Sequence, residues 1–523
     1  MKKIFTLFSA MLMSIASFAT TYNGTLTVTV NGEVSEQPTS VSIDEVNGNY
    51  KLSINNFMLV SGETPLPVGN IVIDHVPGAV NGGLTTLCTN QEIQIPAGNV
   101  EGIAEDEWLG PLLGNVPVEM NARFTGEGYV VTDIHINMVE LDQVIDVKFE
   151  NVGTHFQMPN SDFETWSTAN NAPKHWHGFE SVTGKLSGTA MSTTKLVSSN
   201  NVRPGSKGLT SAVVTSTKVF TVIANGTMTN GRLAAGSMSA TNSANHSETN
   251  LSSTDVDANG DPFATPMYAK PDSVKFWMRF TQAKAQASYP YAAFNAVITD
   301  GTYYQDPEDK AYTNKVAVAA PNKADMTVGD WRLVACPFDY ASYADNGAEA
   351  KAILLTVSTN ATPGKGSYSN GVADSVYVDD LELVYLADIK SVSFKGATLD
   401  LANTDIDIAD DDVISANDFV VEKIGEDAKV TTLVEANAKG YQAVISVVSG
   451  DLNTQKTLVF NFNKPVWADG DVNHDGVVDL ADVTLLINKV LGADATQLYN
   501  PDVNADGNVD VADVTTLVSL ILG

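Results

Sequence analysis

Cysteine is almost absent: Cys88 and Cys336 are the only two in the chain. They lie far apart, so the fold relies on no disulfide framework. One bridge between them stays open, but two unpaired, buried thiols are the plainer reading. Basic residues are also scarce, with 30 Lys and Arg against 62 Asp and Glu and a net charge of -32. Phosphate would be repelled by such a surface, which excludes nucleic acid and anionic membrane as partners. Neutral ligands, divalent cations and a life outside the cytoplasm suit it better. Missing too are G-x-S-x-G, H-E-x-x-H, Walker and Rossmann strings in the context each needs. Beyond the start of the chain no apolar run is long enough to span a bilayer; "LVSLIL" near the end is far too short.

What is present begins with "MKKIFTLFSAMLMSIASFAT", two lysines followed by a short apolar run and small residues at Ser17 and Ala19. This reads as a secretory signal peptide over residues 1–19, cut after Ala19 and separate from the fold. No cysteine follows the run to accept a lipid, so export and release are expected. The whole chain, 523 residues and 55.6 kDa, is too long for one core and implies three or four domains.

From 21 to 150 apolar residues recur with a period of two. "TLTVTV" places Leu26, Val28 and Val30 on one face, "DIHINM" Ile134, Ile136 and Met138, and "VIDVKF" Ile145, Val147 and Phe149. Turn signals separate the runs, so an antiparallel β-barrel is expected. The wording "TYNGTLTVTVNG" followed by "NGNYKLSINNF" resembles the calycin-like β-barrel domains of secreted bacterial proteins.

A second region spans 155–387, with strand-like runs such as "DSVKFWMRF" and "AILLTVSTN" and few helical periods. A two-sheet sandwich is the natural expectation. Its opening "MPNSDFETWS" and closing "DSVYVDDLELVY" resemble bacterial carbohydrate-metabolism domains and, more distantly, jelly-roll carbohydrate-binding modules. That resemblance implies first and last strands side by side, with Glu164 and Asp380 sharing one structural calcium. The alternative, two ordinary exposed edge residues, stays open. Residues 388–465 carry four strand-like runs at regular spacing and suggest an immunoglobulin-like sandwich serving as a spacer.

The sharpest signal lies in 468–523. "GDVNHDGVVDLADVTLLINKVLG" is nearly repeated by "PDVNADGNVDVADVTTLVSLILG". Asp471, Asn473 and Asp475 alternate before Gly476, and Asp482 closes the loop; Asp502, Asn504, Asp506, Gly507 and Asp513 repeat the spacing. Alternate oxygens face a common centre, the glycine permits the turn, and the last carboxylate can take a Ca2+ ion with both oxygens. Val477 and Asn508 supply the carbonyl of position seven, and Asp479 and Asp510 at position nine act through a water. Each loop precedes a helix but follows none, and position twelve is aspartate. This resembles the type I dockerin. The resemblance implies two calcium ions and docking to a cohesin-like partner through loop positions ten and eleven, here Leu480, Ala481, Val511 and Ala512. Their greasier character equally suits packing on a neighbouring domain. Val483, Leu486, Ile487 and Val490 are expected to pack against Val514, Leu517, Leu520 and Ile521.

Two other strings bear on chemistry. "DVDANGDPFATP" places Asp255, Asp257, Asn259 and Gly260 as a calcium loop would, but Pro266 stands at position twelve and cannot ligate. "HWH", His175 to His177, offers two imidazoles but no third ligand nearby, so a core Trp176 is expected. Trp166, Trp176, Trp277, Trp331 and the tyrosines of "YPYAAF" and "TYYQDP" are the candidates for stacking on sugar. The expected fold class is mainly β and multidomain: barrel, jelly roll and Ig-like sandwich, then a small all-α calcium-binding tail. The expected function is a secreted, non-catalytic protein that binds polysaccharide or oligosaccharide and docks to a protein partner. The alternative is a glycoside hydrolase with its site in the middle domain.

Overall fold

The computed structural model describes residues 20–60, 65–167, 171–192, 196–465, 467–493 and 498–523. The expected signal peptide, residues 1–19, lies outside them. Two compact units emerge. One holds the described residues up to Ser391 with Val421–Thr431 and Ile445–Thr457; the other holds Val392–Val420, Thr432–Val444 and Leu458–Gly523. Strands dominate both, with helices of more than two turns confined to the tail.

Nine strands between Thr20 and Asn151 form one antiparallel half-barrel sheet. The first strand, Thr20–Val30, pairs both with Glu33–Val46 and with the last, Gln143–Asn151. Alternation does the work expected of it: Leu26, Val28, Ile134 and Phe149 are buried, and Val30, Ile136, Met138, Ile145 and Val147 pack partly buried against them. Arg123 breaks the polar-out rule, being only 2% exposed. Its Nη1 donates to Asp133 (2.6 Å) and Gln455 (3.0 Å), and its Nε donates to the Leu452 carbonyl. A buried guanidinium needs this many acceptors, and they tie segment 445–457 to the strand Val116–Thr125.

The middle region is a sandwich. One sheet has five strands, in the order Leu196–Ser199, Ser211–Thr215, Ser375–Val384, Ser273–Thr281, Gly329–Pro337. The facing sheet carries Thr227–Thr229, Ala352–Ser358, Ala293–Thr299 and Lys315–Ala319. Ser273–Thr281 alternates strictly, so Val274, Phe276, Met278 and Phe280 all enter the core. There Phe276 stacks on Phe294 at 4.1 Å. The opening phrase lies along the closing strand, as expected: the Gln157 amide exchanges two 2.8 Å bonds with Leu383, and Leu381 N donates to Ser161 O. Both cysteines are free. Cys336 is buried, which pushes its thiol up to about 12, whereas Cys88 is only partly buried and donates to Asn121.

Residues 388–463 supply a three-stranded and a four-stranded sheet. In the latter Asp405–Asp407 runs parallel to Gln455–Asn463. Phe394, Phe419 and Phe462 pack ring against ring at 4.7–5.7 Å. The chain ends in helices Leu480–Val490 and Val511–Leu522. Among the described residues no helix is long and apolar enough to cross a membrane.

Candidate metal centre

The two tail loops repeat each other bond for bond. Asp471 accepts from the amides of Asp475 (3.2 Å) and Gly476 (2.9 Å); Asp502 accepts from Asp506 (3.1 Å) and Gly507 (2.8 Å). Asn473 Oδ1 accepts from Asp475 N, and Asn504 Oδ1 from Asp506 N. Asp475 Oδ1 accepts from Val477 N and Asp506 Oδ1 from Asn508 N, both at 2.9 Å. Gly476 and Gly507 hold φ of 92° and 88°. A Cβ on either would meet nothing within 4 Å, so the left-handed backbone alone calls for glycine.

Each loop closes on the start of its helix. Asp482 accepts from Asn473 N (3.1 Å) and Asp479 N (2.9 Å), and Asp513 from Asn504 N (3.1 Å) and Asp510 N (2.8 Å). Asp479 and Asp510 are the helix N-caps, each accepting from the amide two residues on at 2.7 Å. That commits one oxygen of each residue expected at position nine. Asp482 and Asp513 are fully buried and Asp471 is 3% exposed. Among the described residues none of the three pairs with Lys, Arg or His; backbone amides alone answer their charge.

Those hard, oxygen-only donors fit a calcium ion, since buried carboxylates without cationic side chains are stabilised by a divalent cation. Among the described residues no three His, Cys, Asp or Glu side chains stand gathered as a metal cage, because the loop carboxylates are drawn onto amides. Between the helices, Val472, Val483, Leu486 and Leu517 form the core, with Val514 partly buried. Ile487, Leu520 and Ile521, expected inside, are 38%, 49% and 37% exposed. The helices are too short and too few to cover more than one stripe each. Leu480 and Val511, at equivalent loop positions, are 74% and 66% exposed.

Residues 469–522 match the family model of the dockerin type I domain. Type I dockerins bind calcium, which supports Ca2+ as the ion of this tail. The dockerin's first loop is also buttressed by aromatics: His474 stacks between Trp467 (4.5 Å) and Tyr499 (3.9 Å). Residues 18–152 match the calycin-like beta-barrel domain. These two matches leave residues 153–468 outside them. No curated protein matches the chain.

In the middle sandwich Glu164 and Asp380 have different partners. Glu164 accepts from the amides of Leu209 and Thr210, at 2.9–3.1 Å. Asp380 sits at a register shift in the closing strand with φ of 42° and pairs with the Arg203 guanidinium. The guanidinium supplies a positive charge beside Asp380. Next to it Asp379 is fully buried, with one oxygen on Arg203 N and the other unpaired. Burial, and then the Asp380 charge, push its carboxyl up to about 6 against the Arg203 amide.

Two strings set aside singly in the sequence meet in space. His177, with no exposed side-chain surface, donates from Nε2 to Pro262 O (3.1 Å) and faces Asp257 Oδ2 with Nδ1 at 3.6 Å. His175 Nδ1 stands 3.5 Å from Asp261, and Arg232 pairs with Asp255 at 2.8 Å. Burial pushes the Asp257 carboxyl up, but His177 and the Asp261 and Asn259 amides outweigh it and hold it at about 2. Trp176 is core, as expected, its Nε1 donating to Pro159 O and Asn160 O. Of the other aromatics, Tyr304 is buried, while Trp277 and Trp331 lie partly exposed on the outer face of the five-stranded sheet. Arg203 covers the Trp277 ring at 5.3 Å, Arg279 the Tyr377 ring at 5.5 Å, and Trp331 meets Tyr377 edge-on at 6.2 Å.

Proposed function

We propose that the chain is an exported, non-catalytic attachment protein whose dockerin binds two calcium ions and docks to a cohesin-type partner, while the middle sandwich holds polysaccharide. One observation carries the docking half. Leu480 and Val511 occupy equivalent places on two successive helices and are both large, apolar and open to solvent. Apolar side chains left outside a completed core are the ordinary mark of a surface awaiting a partner. The acidic surface, the leader-like first residues and the typical extracellular setting of dockerin proteins support export. For polysaccharide, support comes from the Trp277, Trp331 and Tyr377 rings on the outer sheet face, with Arg203 and Arg279 among them.

Retention of the full chain on immobilised cohesin domains tests docking. Binding in calcium, release by chelator, and at least a tenfold loss in Leu480→Asp combined with Val511→Asp are expected. Equal retention with and without chelator would overturn it. Affinity electrophoresis in gels cast with soluble polysaccharides tests the other half, with Trp277→Ala and Trp331→Ala expected to run unretarded. Release of reducing ends by the wild-type chain would favour the hydrolase instead.

A further inference from the structure

A cavity of about 430 Å³ opens in the middle sandwich, outside both the dockerin and the aromatic sheet face. Phe179, Leu186, Val219, Val222, Leu233 and Met238 contribute its apolar walls. Its size is that of a small-molecule site. No Trp or Tyr lines it, so it lacks the stacking surface a sugar ring needs.

The polar floor is nearly self-satisfied. Thr227 and Ser358 hydroxyls share a 2.9 Å bond, and Ser247 and Thr356 a 2.6 Å bond. His246, among the described residues the one cationic candidate in the lining, spends Nδ1 on Ser243 O and Nε2 on Glu248. Asn295 Nδ2 donates to Asp306 Oδ2 at 2.9 Å. Among the described residues, Asp306 Oδ1, Asn295 Oδ1 and the buried Asn225 Oδ1 take no hydrogen bond. These three oxygens are acceptors, and one belongs to a carboxylate. Lys315, whose positive charge acts on that carboxylate, is held by Glu308 at 2.6 Å. Burial, ahead of every other influence, raises the Asp306 carboxyl above its usual range, as for a charge short of compensation. A ligand that brings several N–H donors and a positive charge completes these acceptors; an anion would face the Asp306 carboxylate.

From this geometry we infer that the cavity binds a small organic amine, its apolar body among the Phe179, Leu186, Val222, Leu233 and Met238 side chains and its ammonium on Asp306 and Asn295. The site is independent of docking and of polysaccharide binding.

Titration calorimetry of the full chain with hexylamine, 1-hexanol and hexanoate tests it. Hexylamine is expected to bind at least tenfold more tightly than hexanol, and hexanoate not at all. Asp306→Asn is expected to lower hexylamine affinity at least tenfold and to leave hexanol unchanged. Ala293→Leu, which builds into the cavity from its floor, is expected to abolish both. Equal affinity for the three probes, no binding by any of them, or hexylamine binding that survives Asp306→Asn would each overturn the inference. The wild-type probe comparison decides even if a variant fails to fold.

Discussion

The loop at Asp255 and the loop at Asp471 are written in nearly the same letters and end in different chemistry. Both place acid or amide residues at positions one, three and five, with a glycine at six. Gly260 holds φ of 87° where Gly476 holds 92°. The glycine is alike, but position four is left-handed only in the tail, at His474 (φ 57°), and the loop amides fold onto Asp471 and not onto Asp255. The charge compensation differs too. In the middle sandwich Asp255 meets Arg232, Asp257 faces His177 and Asp261 lies beside His175. In the tail, among the described residues, no cationic side chain answers Asp471 or Asp482, and calcium is the cation such a loop takes. At position twelve, Pro266 pairs with Ala352 in a strand, whereas Asp482 is buried in the first turn of a helix. A short acidic string therefore specifies a turn, and the facing chain decides whether protein or metal neutralises it.

The largest effect that could break this contrast is loss of the tail's twelfth residues. Asp482→Ala is expected to remove one of two calcium ions from the full chain, and Asp513→Ala the other. Each site is expected to weaken roughly a hundredfold or more, because a two-oxygen ligand is lost. Calorimetric stoichiometry checks this; two ions bound in the double variant would contradict it. Next, His177→Ala is expected to cost about 2–4 kcal/mol of stability by leaving a cavity beside an uncompensated carboxylate. Calcium affinity should stay unchanged, which separates the two loops in one preparation followed by thermal unfolding and calorimetry.

Acidity sharpens the contrast further. The Asp257 carboxyl, at about 2, lies below its unfolded value, so its contribution is complete above the unfolded pKa near 3.9 and disappears as pH falls through about 2. Asp379, at about 6, has the opposite sign: the folded state holds its proton longer, so stability falls as pH rises from near 4 to about 6. Asp379→Asn should remove that decline, a gain of roughly 1 kcal/mol at neutral pH, read from denaturant unfolding at several pH values. Smallest is Pro266→Asp, which restores the twelfth carboxylate in the middle loop. It is expected to add no calcium ion to those of the tail, since residue 266 stays in a strand and Arg232 already meets Asp255. An additional ion in the calorimetric stoichiometry of that variant would show that sequence alone makes the site.

Much of the tail was legible from its residues. Asp471 through Asp482 form their bonds within a dozen positions, and so do Asp502 through Asp513. The exposure of Ile487, Leu520 and Ile521 was not, because helical period marks an apolar face without saying how much of it a neighbour covers. In the sandwich the opening segment lies beside the closing strand, though as turns and not as a strand of its own. Asp380, at a register shift, pairs with Arg203, a residue no local pattern connects to it, and Glu164 takes the Leu209 and Thr210 amides. The meeting of "HWH" with "DVDANGD" and the burial of Arg123 left no mark in their own neighbourhoods.

The order of amino acids alone determined the strand alternation of the half-barrel, the glycine turns and the two capped helix starts. Each rests on backbone preferences and hydrogen bonds that close within one element. Only the tertiary structure decided which carboxylate faces a histidine, an arginine or none. Those interactions act over 3–4 Å between segments remote along the chain, and folding alone brings them within that reach.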